Sequence, residues 1–180
     1  MPLFLQTTRE DQLIAWLTAL AITIHIAESV LPSPLPGIKP GLANVITIAV
    51  LLRYGWRMAA WVSLLRVLVG SLLLGTFLSP TFILSLTGAV CSLLALGAAY
   101  AVNSRLPGRG LGPLGYSVLA AMAHMAGQFW SAYLLFIPHP GLLHLLPVLM
   151  SAAVIFGLVS GMIADAMLTR MSCDGRNFHP

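Results

Sequence analysis

The chain has 180 residues, of which 58% are hydrophobic and only 8% charged, and its mean hydropathy is +0.93. Soluble domains carry roughly 25% charged residues, so the composition excludes an ordinary water-soluble globule and makes lipid part of the solvent. The net charge of +4 does not point to nucleic acid, because the arginines are scattered at the ends of apolar runs instead of clustered.

The length suits one helical membrane domain, residues 13–169, between an N-terminal tail (1–12) and a C-terminal tail (170–180). Six apolar runs follow one another, at 13–31, 42–52, 58–78, 81–102, 115–137 and 145–169. The first is not a signal peptide: it carries His25 and Glu28, foreign to a secretory apolar segment of roughly 7–15 residues, and five more runs follow. A spanning helix needs roughly 20 residues, and five of the runs meet this. The second does not, since Leu42–Leu52 covers only about 17 Å as a helix.

The stretch before that short run, LPSPLPGIKPGLAN (31–44), holds Pro32, Pro34, Pro36 and Pro40, with Gly37 and Gly41, and the chain's only lysine, Lys39. Proline lacks a backbone donor and glycine tolerates unusual dihedrals, so regular helix is excluded here. Irregular backbone beside lipid survives only where protein buries it or where it lines a wet cavity. We therefore expect 31–44 to be an outer loop that dips over a second helix starting inside the membrane, with Pro40 as an early helical residue. Beyond it, Gly70 and Gly75 in the third run, and Ser85 and Gly88 in the fourth, read as marks of close packing and not as a phosphate loop. Cys91 and Cys173 make no disulfide framework. The tryptophans and most tyrosines lie toward run ends, as interfacial anchors do.

Topology follows from charge. Six spans place Arg9, Arg53, Arg57, Arg105, Arg109, Arg170 and Arg176 on one side and only Lys39 on the other. This bias predicts cytoplasmic N- and C-termini. The NSRLPGRGLGP connection (103–113) then faces the cytoplasm, and the proline-rich loop and the turn Pro138–His144 face outward.

Polar groups inside spans are costly and usually face the bundle interior or a cavity. Here they are His25, Glu28, Asn44, Arg66, His124 and Gln128. His25 and Glu28 are three apart and His124 and Gln128 four apart, so each pair shares a helix face. Counted from the cytoplasmic ends, Arg66 and His124 lie roughly 12–14 Å deep and Glu28 about 22 Å deep. The set runs from mid-membrane toward the outer surface, under the proline-rich loop. Structural roles compete with ligand binding at each position. Glu28 and Arg66 could pair only with each other, His124 and Gln128 could bond only across helices, and Asn44 could cap the second helix. No His/Cys/Asp/Glu cluster has metal-ligand spacing, and no cofactor is expected. In the first span, Ala15, Ala19, Thr23 and Ala27 recur every four residues, a small-residue ridge suited to close helix approach. At 100° per residue it lies about 170° from the His25/Glu28 face, so it could pack internally or meet another protein's helix.

These residues carry a resemblance. H25-I-A-E28-S, P36-G-I-K-P-G-L-A-N44, R66-V-L-V-G70-S-L-L-L-G75-T, S85-L-T-G88 and H124-M-A-G-Q128 resemble, in that order, the Gx transporter family, labelled heptaprenyl diphosphate synthase component I. Pro40 departs from it, standing where a leucine-like residue is expected. The family is similar to the substrate-binding S components of energy-coupling-factor (ECF) transporters, six-helix membrane bundles with an outward site covered by the loop after helix one. The resemblance implies that His25, Glu28, Lys39, Asn44, Arg66, His124 and Gln128 bind a small-molecule substrate. It also implies that Ala15, Ala19, Thr23 and Ala27 dock a transmembrane coupling subunit driven by ATPases. The synthase label raises the question of catalysis. Diphosphate leaving groups are handled by clustered carboxylates and metal, and only Glu10 and Asp11 among the five acidic residues are close together. We expect no enzyme.

The sequence thus predicts an all-α, six-span bundle in a bacterial inner membrane, an S-component-like importer subunit. A non-catalytic accessory subunit in isoprenoid or quinone metabolism and a stand-alone secondary transporter are the alternatives.

Overall fold

The computed structural model describes residues 9–30, 42–105 and 110–174. Among them the chain forms α1 (Arg9–Val30), α2 (Leu42–Tyr54), α3 (Trp56–Leu73), α4 (Pro80–Arg105), α5 (Pro113–Leu135) and α6 (Leu146–Asp174). A short 3-10 helix, Pro140–Leu145, precedes α6, and the described residues contain no strand. Residues 31–41 of the expected outer loop, with Lys39, lie outside the described residues, as do the ends of both tails and the Glu28 side chain. The last three residues of the 31–44 stretch are the first turn of α2.

Three helices are long and apolar enough to cross a membrane, over Trp56–Leu73, Pro80–Arg105 and Pro140–Arg170, and Asp11–Ala27 and Asn44–Tyr54 are shorter apolar helices. Length does not set α5 apart, since its 23 residues would extend about 35 Å. Tyr116, Ser117, His124 and Gln128 dilute its hydropathy.

The arrangement centres on α2. It has 13 residues, about 20 Å of helix, and it stops at Tyr54. Gly55 takes φ 88, a left-handed conformation that costs glycine nothing sterically. Its N–H donates to the Leu51 carbonyl at 3.0 Å, and α3 begins at the next residue. An amphipathic stripe buries one side of a helix, but α2 is buried on every side: Val45, Ile46, Thr47, Ile48, Val50 and Leu51 are each 3% exposed or less. It packs against α1, α3, α5 and α6. Around it, α3 meets α1 and α4, and α5 lies between α4 and α6.

The main core sits at one end of this bundle. Leu51, Met58, Ala59, Val62, Leu96, Tyr116 and Ala164 form one buried cluster, with Ile14, Leu17, Trp56 and Met167 packed against it. A Cβ at Gly97 would lie 3.0 Å from the Trp56 ring, and one at Gly55 would lie 3.8 Å from the Tyr100 hydroxyl. The start of α1, the α2–α3 turn, the end of α4, the start of α5 and the last turns of α6 therefore share that end. Arg9, Arg53, Arg57, Arg105 and Arg170, all exposed, belong to it. Tyr116, at the same end, is fully buried and is not the interfacial anchor its position suggested. A smaller cluster of Val67, Phe82 and Ala89, with Ile83 and Leu86, holds α3 to α4 in the opposite half.

Two local departures from the sequence reading have backbone causes. The third apolar run does not continue as helix to residue 78, because α3 stops at Leu73. Gly75 (φ 66) and Leu78 (φ 62) instead turn the chain through the left-handed region, and the Phe82 N–H donates to Ser79 Oγ at 3.3 Å to start α4. Gly75 is thus a turn residue, and a Cβ there would meet nothing within 4 Å. The turn before α6 is a 3-10 helix capped by His139, whose Nδ1 accepts from the Gly141 N–H at 3.0 Å.

Helices α5 and α6 approach each other closely. Ala153, Gly157, Ser160, Gly161 and Ala164 are the buried side of α6. A Cβ on Gly157 would lie 2.9 Å from the Val118 Cα, and one on Gly161 2.9 Å from the Leu114 Cα. Backbone cannot move aside as a side-chain tip can, and small residues are what let membrane helices come this near. Gly161→Leu should destabilise the detergent-solubilised protein by about 1–3 kcal/mol, the ordinary cost of overpacking. Ile155→Ala on the exposed side of α6 should stay within about 0.5 kcal/mol. Thermal unfolding followed by circular dichroism compares the two.

Candidate functional site

Because α2 reaches only part of the bundle's length, its first turn ends beneath a region bordered by α1, α3, α4 and α5. The polar residues of the spans gather there. Arg66 stands ten residues into α3, about 15 Å from the arginine-rich end, and His124 eleven residues into α5, about 16 Å from it. Asn44, partly buried, is in the first turn of α2, at a similar level.

Among the described residues Arg66 is the buried charge. It is 7% exposed, whereas Arg9, Asp11, Arg53, Arg57, Arg105, Asp165 and Arg170 are all exposed. A guanidinium in such a place needs partners for its five donors, since an unpaired buried charge is strongly unfavourable. His25 and Arg66 both lie within electrostatic reach of His124, so three helices contribute nitrogen bases to one locus. The His124 ring N–H donates to the Gly88 carbonyl, which fixes the imidazole against α4.

Two glycines border this grouping, and one of them makes it sterically possible. A Cβ at Gly70 would lie 3.5 Å from His25 Cδ2, in ordinary contact. One at Gly88 would lie 2.8 Å from Gln128 Cγ and 2.9 Å from His124 Cε1. The Gly88 position is therefore filled by the side chains of α5, and His124 and Gln128 occupy the same groove of α4, one turn apart. One turn on, Gly127 meets Cys91 in the same way, with its Cβ position 2.8 Å from Cys91 Sγ and 2.9 Å from the Thr87 carbonyl. The sequence reading of Gly88 as a close-packing position holds, and its partners are two of the candidate site residues. Gly127 and Cys91 were not marked as partners in the sequence, because only the pairing of α4 with α5 reveals them.

Four of the seven candidate residues, His25, Arg66, His124 and Gln128, are brought to this locus, and Asn44 is placed at its level on α2. Lys39 lies outside the described residues. Glu28 stands on α1 one turn beyond His25, with its side chain likewise outside them. Among the described residues no group of His, Cys, Asp and Glu could hold a metal ion. Ala15, Ala19, Thr23 and Ala27 of the α1 ridge are all exposed, and the Thr23 hydroxyl donates back to the Ala19 carbonyl at 2.9 Å, leaving a smooth surface. The neighbouring Trp16 is 78% exposed.

Chemically, the locus offers a fixed cation, two imidazoles and a primary amide. It is rich in hydrogen-bond donors and suits an oxygen-bearing, electron-rich group on a bound molecule. The wall toward the α3–α4 turn, formed by Val67, Phe82 and Leu86, is apolar. Replacing Gly88 by valine should expel His124 and Gln128 from the α4 groove and destabilise the protein by about 1–3 kcal/mol. The companion His124→Ala should relieve part of that loss, and a double-mutant cycle on thermal unfolding reads the coupling.

Comparison with known proteins adds one finding. The family model for heptaprenyl diphosphate synthase component I matches residues 17–167, extending beyond the motifs at 25–128 on both sides. No curated protein and no solved structure matches the chain. The match takes in all six helices and every residue of the polar locus, and the chain belongs to the heptaprenyl diphosphate synthase component I family.

Proposed function

We propose that the protein is an integral subunit of a bacterial inner membrane that captures a small molecule from outside, as S components of ECF transporters do. The observation that carries this reading is the buried Arg66 grouped with His25, His124 and Gln128 in the half of the bundle away from the exposed arginines. Buried charge within membrane helices is expensive and marks functional pathways. The amino-terminal end of α2 rises toward the same region, and both its dipole and Arg66 favour an anionic group. The long helices cross the membrane and α2 reaches part of the way, with both termini and the arginine-rich end in the cytoplasm and the polar locus toward the outer side. Glu28, Lys39 and Asn44 complete the substrate contacts. The exposed Ala15–Ala27 ridge meets the helices of a coupling subunit driven by ATPases.

The family's description supports a second reading, a membrane component of a prenyl diphosphate synthase that works beside a separate catalytic subunit. Purification from the native membrane with mass spectrometry of co-purifying proteins and small molecules separates the two. A coupling protein with ATPases and a retained polar metabolite support import. A soluble synthase overturns it in favour of the second reading.

Arg66→Ala should abolish retention of the bound molecule, whereas Arg57→Ala, at the exposed α2–α3 turn, should leave it unchanged. Equal retention in both would reduce Arg66 to a structural ion. Topology is checked in whole cells on a background without native cysteines. An impermeant maleimide should modify Ile137→Cys and spare Arg57→Cys; the reverse pattern would invert the orientation.

A further inference from the structure

Below the polar locus, toward the arginine-rich end, lies a second set of polar groups with an unusual property. Thr18 Oγ1, Thr47 Oγ1, the Tyr116 hydroxyl and Ser117 Oγ are fully enclosed and have no hydrogen-bond partner among the described residues. Their residues are 5%, 1%, 0% and 0% exposed. Other hydroxyls of this chain behave differently. Thr23, Thr87 and Thr169 each donate to the carbonyl four residues back, at 2.9 Å. That back-bond is the ordinary way a helical threonine in an apolar setting satisfies itself. Thr18 and Thr47 sit on helices where the same bond is available, yet their oxygens do not make it.

Three of the four, and the buried Ser63 beside them, stand in register with groups of the polar locus. Thr18 precedes His25 by seven residues and Ser117 precedes His124 by seven. Seven residues is close to two turns, so each hydroxyl lies on the same helix face about 10 Å nearer the arginine-rich end. Thr47 is one turn beyond Asn44 on α2, and Ser63, 3% exposed, is one turn before Arg66. The helices concerned are in contact, α2 with both α1 and α5. Below the imidazoles, amide and guanidinium there is thus a lower level of hydroxyls, about 5 Å down on α2 and α3 and about 10 Å down on α1 and α5.

We propose that this lower level binds ordered water shared by α1, α2 and α5, forming an internal hydration site beneath the polar locus. Uncharged hydroxyls on separate helices suit water, which both donates and accepts and typically makes 2–4 hydrogen bonds when buried. Among the described residues the level carries no carboxylate, which disfavours a cation as its occupant. The site stands whether or not the locus above binds a substrate. Its effect is to extend a solvated region from the outer half of the bundle into the half that is otherwise filled by apolar side chains.

Hydroxyl-radical footprinting of the full chain in lipid nanodiscs tests the site, because water bound beside a residue is a local source of radicals. Tyr116 should be oxidised several-fold faster than Phe129, which is buried at 3% exposure, and at a rate approaching that of the exposed Tyr100. In Thr47→Val, which removes one hydroxyl at constant shape, Tyr116 oxidation should fall while that of Tyr100 stays the same. Tyr116 as inert as Phe129 in the unmodified protein would overturn the proposal. So would Tyr116 oxidation that is unchanged by both Thr47→Val and Thr18→Val, since the water would then not be shared between helices.

Discussion

The structure depends on the burial of one short helix. A segment of Val, Ile, Leu, Ala and Thr with no polar face gains nothing from standing at the edge of a bundle, and α2 is enclosed by four neighbours. Once it is central, its length decides the rest. Over the span it fills, the bundle is packed with side chains from α1, α3, α5 and α6. Beyond its first turn, no helix among the described residues occupies the axis, and the surrounding helices can present polar groups inward. The expensive groups of the chain, Arg66 above all, are found at that level.

Close packing and polar grouping are linked through glycine. On α4, Gly88 gives up its side chain so that His124 and Gln128 can lie against the helix, and the carbonyl there accepts a hydrogen bond from the imidazole N–H. On α6, Gly157 and Gly161 let the α5 backbone come into contact, fixing the rotation of α5 and so the direction in which His124 points. The geometry of the polar locus is therefore set on the far side of α5 as much as at the locus itself.

Much of this was legible in the sequence. Six apolar runs at spanning or near-spanning lengths gave six helices. The shortness of the second run was visible as well, because Arg53, Gly55 and Arg57 bound it on one side and four prolines on the other. His25, Arg66, His124 and Gln128 stood out because polar groups in apolar runs need company. Three features were not legible, each for a physical reason. The end of α3 at Leu73 depends on left-handed dihedrals at Gly75 and Leu78, and a leucine gives no sign of that in an apolar run. The glycine stripe of α6 looks like any run of small residues until α5 is laid on it. Tyr116 sits where interfacial tyrosines sit, and only the packing of α2 and α6 around it turns it into a core residue.

The one-residue joint at Gly55 has a consequence for how the protein is made. A helix of about 20 Å is shorter than the roughly 30 Å hydrocarbon layer and cannot be held in lipid on its own. Joined to α3 across a turn flanked by Arg53 and Arg57, it can enter the bilayer as the leading arm of a hairpin. Two of its four packing partners, α5 and α6, are synthesised only later. Until then only α1 and α3 of those four partners are available to cover it.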